Sequence, residues 1–465
     1  MSKLPISNLA DITVNLIGAA QAVDSFGVPC IIDTQNVLGA GDPITPVVKT
    51  CYSLQDLLDL GFATDDKAYV LALHLLSYSP KRVKSFVVAS VSTLSSAALT
   101  AVESANANWY VMLVTSRASA DLQTCATWCE TTATRRHVFF GETQDSEAFG
   151  TGASVLSILE NSNRTRSLVM ARKADAQELT FTISNAYVAL NSVSFNVNGT
   201  AVGPVVYAVD SDSTLAAVAS AITATVPTIV ASATVTSGGA GTDVDREIVI
   251  KAADPLIPVQ ITDYECTLGG SQNTVAIVET NPGAGAADAE LAGLLIPQGL
   301  GQLTAAGKNL AGLNTDDLSQ TEYSNVTGHG GNCFVTFGVY PMVQKGQTSG
   351  FVAPGAHCFA DTIFVRDRLE ADLQNALLGV LANSGKIPFN NSGIAAVAGA
   401  LINTCNQYVT KQMLEPFDVA KDWTIPDISE VDPADKTARH LAGITANLTG
   451  TGAIQSIAMT VNITV

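Results

Sequence analysis

Between residues 50 and 175 the spacing of apolar positions switches repeatedly between helical and strand periods. Ser53-Leu54-Gln55-Asp56 carries a capping signature that predicts a short helix. Helical spacing continues over residues 65–78 and stops before Pro80. Residues 84–91 are a β-branched run of strand length. Helical spacing over 94–105 then precedes a strand over 109–114, helix 120–132 precedes strand 137–140, and helix 154–160 precedes strand 167–170. Strands separated by helices predict a parallel α/β sheet.

The pattern changes near residue 176. Up to residue 283 the chain is rich in Thr, Val, Ser, Asn and Gly, with turn signals at Asn198-Gly199 and Ser237-Gly238-Gly239. Phe181, Tyr187, Val193, Phe195 and Val197 alternate as in strands, and one helix is expected over 213–225, with Leu215, Val218 and Ile222 on one face. Residues 176–284 hold ten acidic side chains against two basic ones, Arg246 and Lys251. The segment reads as a β-rich domain inserted in the α/β domain. An Ala-rich helix over 286–295 marks the return.

After Ser349 helices dominate. Residues 361–381 form the strongest helical pattern in the chain, with a stripe of Phe364, Leu369, Leu373, Ala376, Leu377 and Val380. Arg366 with Glu370 and Arg368 with Asp372 stand at i,i+4 spacing. A second helix is expected over 393–412, after the turn Gly385-Lys386-Ile387-Pro388. Residues 415–435 hold seven acidic side chains with Pro416, Pro426 and Pro433, so an extended loop is expected.

Both termini alternate as strands do. Ile12, Val14 and Leu16 alternate with Asp11, Thr13 and Asn15, while Ile457, Met459, Val461, Ile463 and Val465 alternate with Ala458, Thr460, Asn462 and Thr464 up to the last position. Terminal segments normally fray. Strands of this regularity need a partner, which is either the chain's own sheet or a neighbouring copy.

Composition sharpens this. Hydrophobic residues are 47% and charged residues 14%, against about 25% charged in an average soluble domain. The mean hydropathy is +0.27, the net charge −18 and the pI about 4.5. Such an acidic chain argues against nucleic-acid binding, which needs an excess of Lys and Arg. The apolar residues form no stretch long enough to span a bilayer, and Asp11 and Asn15 interrupt the N-terminus where a signal peptide would be apolar. Neither membrane insertion nor export is expected. Few charges over much apolar surface fit either a well-buried monomer or an oligomer. The eight cysteines are scattered without a CxxC pair and are expected to be reduced.

Candidate chemistry does not cohere. Gly301 to Lys308 approaches a phosphate loop, but its glycines are six apart instead of five and Asn309 replaces the magnesium-binding hydroxyl. Cys125 and Cys129 share a helix face ahead of His137, too few ligands for zinc. His357-Cys358 with Asp361 has the residue types of thiol chemistry, but neighbours on one strand point apart. His329-Gly330-Gly331 lacks a companion Gly-x-Ser-x-Gly elbow, and residues 415–435 lack the spacing of a calcium loop. No catalytic, cofactor or metal site is expected, and the chain reads as structural.

The chain resembles the contractile tail sheath proteins of bacteriophages over most of its length. The resemblance is carried by Tyr52-Ser53-Leu54 through Leu75 to Pro80-Lys81-Arg82, the insertion with its Asn198-Gly199-Thr200 turn, and Ala306-Gly307-Lys308-Asn309-Leu310-Ala311-Gly312 with Thr315-Asp316-Asp317-Leu318. Arg368-Leu369-Glu370-Ala371-Asp372-Leu373-Gln374, the turn Gly385-Lys386-Ile387-Pro388-Phe389 and the final strand complete it. It implies a mixed, multidomain α/β fold: an N-terminal arm (1–20), an α/β sheath domain (21–175 with 285–350), an inserted β-rich outer domain (176–284), a helix-rich tube-facing domain (351–452) and a C-terminal arm (453–465). Ile12, Val14, Leu16, Ile457, Met459, Val461, Ile463 and Val465 would then be strand-donating arm residues between subunits. Arg366, Arg368 and Lys386 are candidates for tube contact, or else a solvated helix face. Implied partners are further copies of the chain, a tail tube protein, and baseplate and tail terminator proteins, in a virion tail assembled in the host cytoplasm. Two rivals stand beside it: a Rossmann-like enzyme with a site built from distant residues, and another self-assembling virion or surface protein.

Overall fold

The computed structural model describes residues 26–41, 45–78, 83–173, 176–183, 187, 189–236, 246–267, 275–281, 285–299, 301–353 and 356–455. The terminal alternating segments at Ile12, Val14 and Leu16 and at Ile457, Met459, Val461, Ile463 and Val465 lie outside the described residues.

The first part is a six-stranded sheet. Its strands are β1 (Pro29–Asp33), β2 (Val47–Cys51), β3 (Phe86–Ser90), β4 (Val111–Val114), β5 (Val138–Thr143) and β6 (Ser167–Ala171), in the order β2-β3-β1-β4-β5-β6. All neighbours run parallel except the edge strand β2, which pairs antiparallel with β3. The helices are α1 (Leu54–Asp59), α2 (Lys67–Leu75), α3 (Ser96–Ala105), α4 (Ser119–Thr131) and α5 (Val155–Asn161). Every residue of β1, β3, β4, β5 and β6 is buried, as befits parallel strands covered on both faces. Sequence patterning passed over the edge strand β2 and the central strand β1, the latter because Pro29-Cys30-Ile31-Ile32 is too short and uniformly apolar to show a period. Helix α1 opens on the expected capping box at Ser53 and Asp56. Helix α2 stops at Leu75, ahead of the expected Tyr78, where Ser77 Oγ donates to the carbonyl of His74.

Residues 178–281 build two antiparallel sheets. One has the order β10-β11-β7-β13, from β7 (Glu178–Ile183), β10 (Val230–Val235), β11 (Arg246–Ala252) and β13 (Val275–Asn281). The other has the order β12-β8-β9, from β8 (Ser192–Val197), β9 (Thr200–Val206) and β12 (Ile261–Thr267). The expected helix is present as α6 (Ser211–Thr225), capped by Asp210, and it buries Leu215, Val218 and Ile222. Phe181, Phe195 and Tyr264 pack ring against ring in a core of their own.

The return helix α7 (Ala287–Leu295) lies back on the sheet, followed by α8 (Gln320–Gly328). Residues 333–344 form a hairpin, β14 (Cys333–Phe337) and β15 (Tyr340–Gln344), because Gly338 turns the chain at φ 64°. A second ribbon, β16 (Gln347–Ala353) with β17 (Ala356–Phe359), runs into α9 (Ala360–Asn383). Asn332 stitches these parts together: its backbone bonds Val169 and Ala171 of β6, and its side chain bonds Gln347 of β16.

Helix α9 is 24 residues, about 36 Å long. Ile363 and Phe364 enter the sheet core, while Val365, Leu369 and Leu373 join Leu401, Cys405 and Tyr408 of α10 (Asn391–Thr410) in a separate core. One helix therefore serves two cores. The loop expected over 415–435 instead contains helical turns at Val419–Asp422 and Pro433–Ala438, each capped by an aspartate, Asp418 and Asp432.

Candidate functional site

In an open parallel sheet, ligands bind beyond the carboxyl ends of the strands, where the strand order reverses. Here that position lies beyond β1 and β4, and the chain's own side chains occupy it. Asp33 ends β1 fully buried, accepting from Ser90 Oγ and from the backbone N–H groups of Gln35 and Val37. Thr115 Oγ1, after β4, accepts from the Thr34 N–H at 2.9 Å. Two residues on, Arg117 clamps Asp288 of α7 with bonds of 2.7 and 3.0 Å. Glu142 of β5 accepts from the first N–H of that helix, at Ala287, at 2.7 Å. A helix N-terminus is where a phosphate would be held; here the Glu142 side chain of the same chain takes the place.

A second polar cluster lies beneath α9. Arg166 binds Asp367 with two bonds of 2.7 and 2.8 Å, Tyr110 Oη donates to the same carboxylate at 2.8 Å, and Arg366 reaches it at 2.7 Å. One turn on, Glu370 pairs with Arg136 at 2.7 Å. Burial would raise the Asp367 carboxyl, but Arg166 and Arg366 outweigh it and hold the group below the usual carboxylate range. Burial, reinforced by Asp367, pushes the Tyr110 phenol well up. The arrangement fixes the rotation of α9 on the sheet.

This corrects one expectation from sequence. Arg366 does not face outward; it is 4% exposed, held under α9 against Asp367, and cannot reach a tube surface from there. The helical stripe is broader than its apolar residues suggest because Arg366, Asp367 and Glu370 are buried by pairing. Arg368 is partly exposed, 3.8 Å from Asp372 as the spacing implied, and Lys386 is exposed.

The other candidate groups are spent on structure. His137 stacks on Trp109 at 3.8 Å and lies beside Trp128 at 5.6 Å, with Glu103 on Nε2 at 3.1 Å. Burial pushes the thiols of Cys125 and Cys129 up, and that of Cys358 up to about 11, so none is a ready thiolate. Gly301 packs so closely on Val365 that a Cβ would lie 2.5 Å from its Cγ2, and the Gly307 N–H donates to the Val343 carbonyl. His329 and His357 both approach Glu160, which ties α8 and β17 to α5. Among the described residues no group of three or more His, Cys, Asp or Glu is placed to hold a metal ion, and no helix is long and apolar enough to cross a membrane.

Exposed apolar side chains gather at strand ends and edges. Phe337, Val339 and Tyr340 crown the β14–β15 hairpin, Val352 and Phe359 lie on the second ribbon, and Ile277 and Val278 lie on the edge strand β13. The last described residue, Gln455, donates from Nε2 to the Lys345 carbonyl at the base of β15.

No family model and no curated protein matches the chain. Solved structures do. A chain of the anti-feeding prophage baseplate, seen by cryo-electron microscopy, matches at TM-score 0.50 with 10% identity, over 100% of both chains. A chain of the sheath complex of PVC, an extracellular contractile injection system in its contracted state, matches at TM-score 0.51 with 12% identity, over 99% of this chain and 98% of that one. A sheath tail protein of Desulfitobacterium hafniense covers 89% of this chain and 92% of its own, at 10% identity and TM-score 0.33. From end to end, then, the chain has a mixed α/β fold like that of contractile injection system components.

Proposed function

We propose that this chain is a structural subunit of a contractile tail sheath, polymerising into stacked rings around a tail tube. The observation that carries the reading is the fold likeness to a chain of a contracted sheath complex over 99% of this chain. The likeness spans the sheet, the β-rich insertion and the long helix together, which a shared α/β sheet alone would not do.

Residues 1–20 and 453–465 are the strand-donating arms, 21–175 with 285–350 the sheath domain, 176–284 the outward insertion and 351–452 the tube-facing domain. About five backbone hydrogen bonds per donated strand, at about 0.5–1.5 kcal/mol each, tie a junction by several kcal/mol. Contraction is a rigid-body shift of subunits between two packings that keeps those junctions, and small differences per subunit add over the whole sheath. A tail tube, a baseplate and a tail terminator are the heterologous partners, and no nucleotide or metal takes part.

Negative-stain electron microscopy of the protein expressed alone tests the reading. Wide hollow cylinders are expected. Uniform small particles that are stabilised by a nucleotide or metabolite would overturn it in favour of an enzyme, and flat sheets in favour of a different self-assembling protein.

A further inference from the structure

Where the chain leaves the six-stranded sheet for the insertion and where it returns, three buried carboxylates face two buried guanidiniums. Asp288 takes both terminal nitrogens of Arg117. Asp316 takes Arg172 Nε at 2.8 Å and the Lys173 N–H at 3.2 Å. Glu142 is served less well: the Ala287 N–H reaches Oε2 at 2.7 Å, while Oε1 has Gln144 Nε2 at 3.4 Å and Arg117 Nε at 3.9 Å. That Nε has no hydrogen-bond partner among the described residues. Glu142 and Asp288 are both fully buried. Around them, Lys67 of α2 and Asp254 of the insertion pair with each other at 2.6 Å, and Lys173 pairs with Glu322 of α8 at 3.0 Å, so neither lysine is left to balance the cluster.

Two cations against three anions leave one negative charge in a water-excluded site, a costly arrangement that a single proton relieves. We propose that Glu142 is the proton-accepting member of a pH-operated lock, neutral when the return helix α7 is seated on the sheet, and that loss of its proton loosens α7. Glu142 is the member whose second oxygen has only a long donor, Gln144 Nε2 at 3.4 Å, so that oxygen carries the proton. Burial pushes this carboxyl up to about 7, with Arg117 opposing and Asp288 adding to the rise. A carboxyl raised in this way contributes stability that is complete below its unfolded value and is lost as pH rises through about 7. The consequence is local, since Glu142 touches α7 at its first N–H and Asp288 lies in the same turn.

Hydrogen–deuterium exchange of the full chain, corrected for intrinsic exchange, tests the lock at pH 5.5, 7 and 8.5. In the wild type, protection of residues 285–299 is expected to fall roughly tenfold relative to that of β1 and β3 between the two extremes, the change that one unit of proton affinity brings. In Glu142→Gln the protection should no longer depend on pH. Equal pH dependence in both proteins, or none in the wild type, overturns the proposal. Should the variant not fold, infrared titration of wild-type protein carrying carboxyl-labelled glutamate reads the same proton directly: a buried protonated carboxyl vanishing near pH 7 supports the lock, and its absence overturns it.

Discussion

Asp367 and Arg166 stand 201 residues apart in sequence and share two hydrogen bonds of 2.7 and 2.8 Å beneath α9. The bidentate contact joins the loop ahead of β6 to the helix that serves both the sheet and the C-terminal core. Replacing Asp367 with Asn removes the carboxylate that Arg166 and Arg366 share, at a cost of about 3–5 kcal/mol. Urea denaturation at pH 7 measures it. Because the Asp367 carboxyl is held low, its contribution is present above the unfolded value of about 3.9 and is lost as pH falls. Asp367→Asn should therefore narrow its gap to the wild type in strongly acid solution.

His137 offers a second pH test of opposite origin to the lock at Glu142. Burial lowers its proton affinity, against the pull of Glu103, and its Nδ1 has no partner among the described residues. The neutral ring donates from Nε2 to Glu103 and stacks 3.8 Å from Trp109. A depressed histidine gives stability that is present above its unfolded value, about 6.5, and is lost as pH falls towards the folded one. In a Glu142→Gln background, which removes the opposing proton, denaturant midpoints should drop between pH 7.5 and 5.5, and His137→Phe should flatten that drop while Glu103 keeps its bonds to the Thr134 and Arg135 N–H groups.

Gly293 of α7 faces the end of α2 so closely that a Cβ would lie 2.3 Å from the Leu75 carbonyl oxygen. That atom is backbone and cannot swing aside. Gly293→Ala should cost about 1–3 kcal/mol, the range for overpacking a tight core, despite alanine's better helix propensity. Thermal melting of the variant checks this.

Arg368 and Lys386 separate fold from partnership. Both reach solvent, so Arg368→Ala and Lys386→Ala should leave stability within about 0.5 kcal/mol. If the pair contacts the tube, the double variant folds normally but loses co-sedimentation with tube protein. Unchanged co-sedimentation returns both residues to a solvated helix face. Arg366→Ala is the contrast, since it removes a buried cation from Asp367 and destabilises the isolated chain.

Deleting residues 453–465 should abolish cylinders in electron micrographs while leaving the melting transition within about 1 kcal/mol of the wild type. The contact of Gln455 with Lys345 is an exposed hydrogen bond and costs little to lose. Tubes formed by the truncated chain would sink the arm model.

Periodicity in the sequence located the helices of the sheet, the β-rich character of 178–281, and helices α6, α7, α9 and α10 to within a few residues, because each buries one face and writes that face into its spacing. The capping signature at Ser53 marked a start for the same local reason. What the sequence could not place were features made by contacts between distant positions. The central strand β1 is buried on both faces and so carries no alternation. Arg366 looks like a surface charge until Asp367 and Arg166 are brought together, and Glu142 looks ordinary until Asp288 and Arg117 close around it. Those assignments belong to the tertiary structure alone, since burial and charge pairing depend on neighbours that a local pattern does not contain.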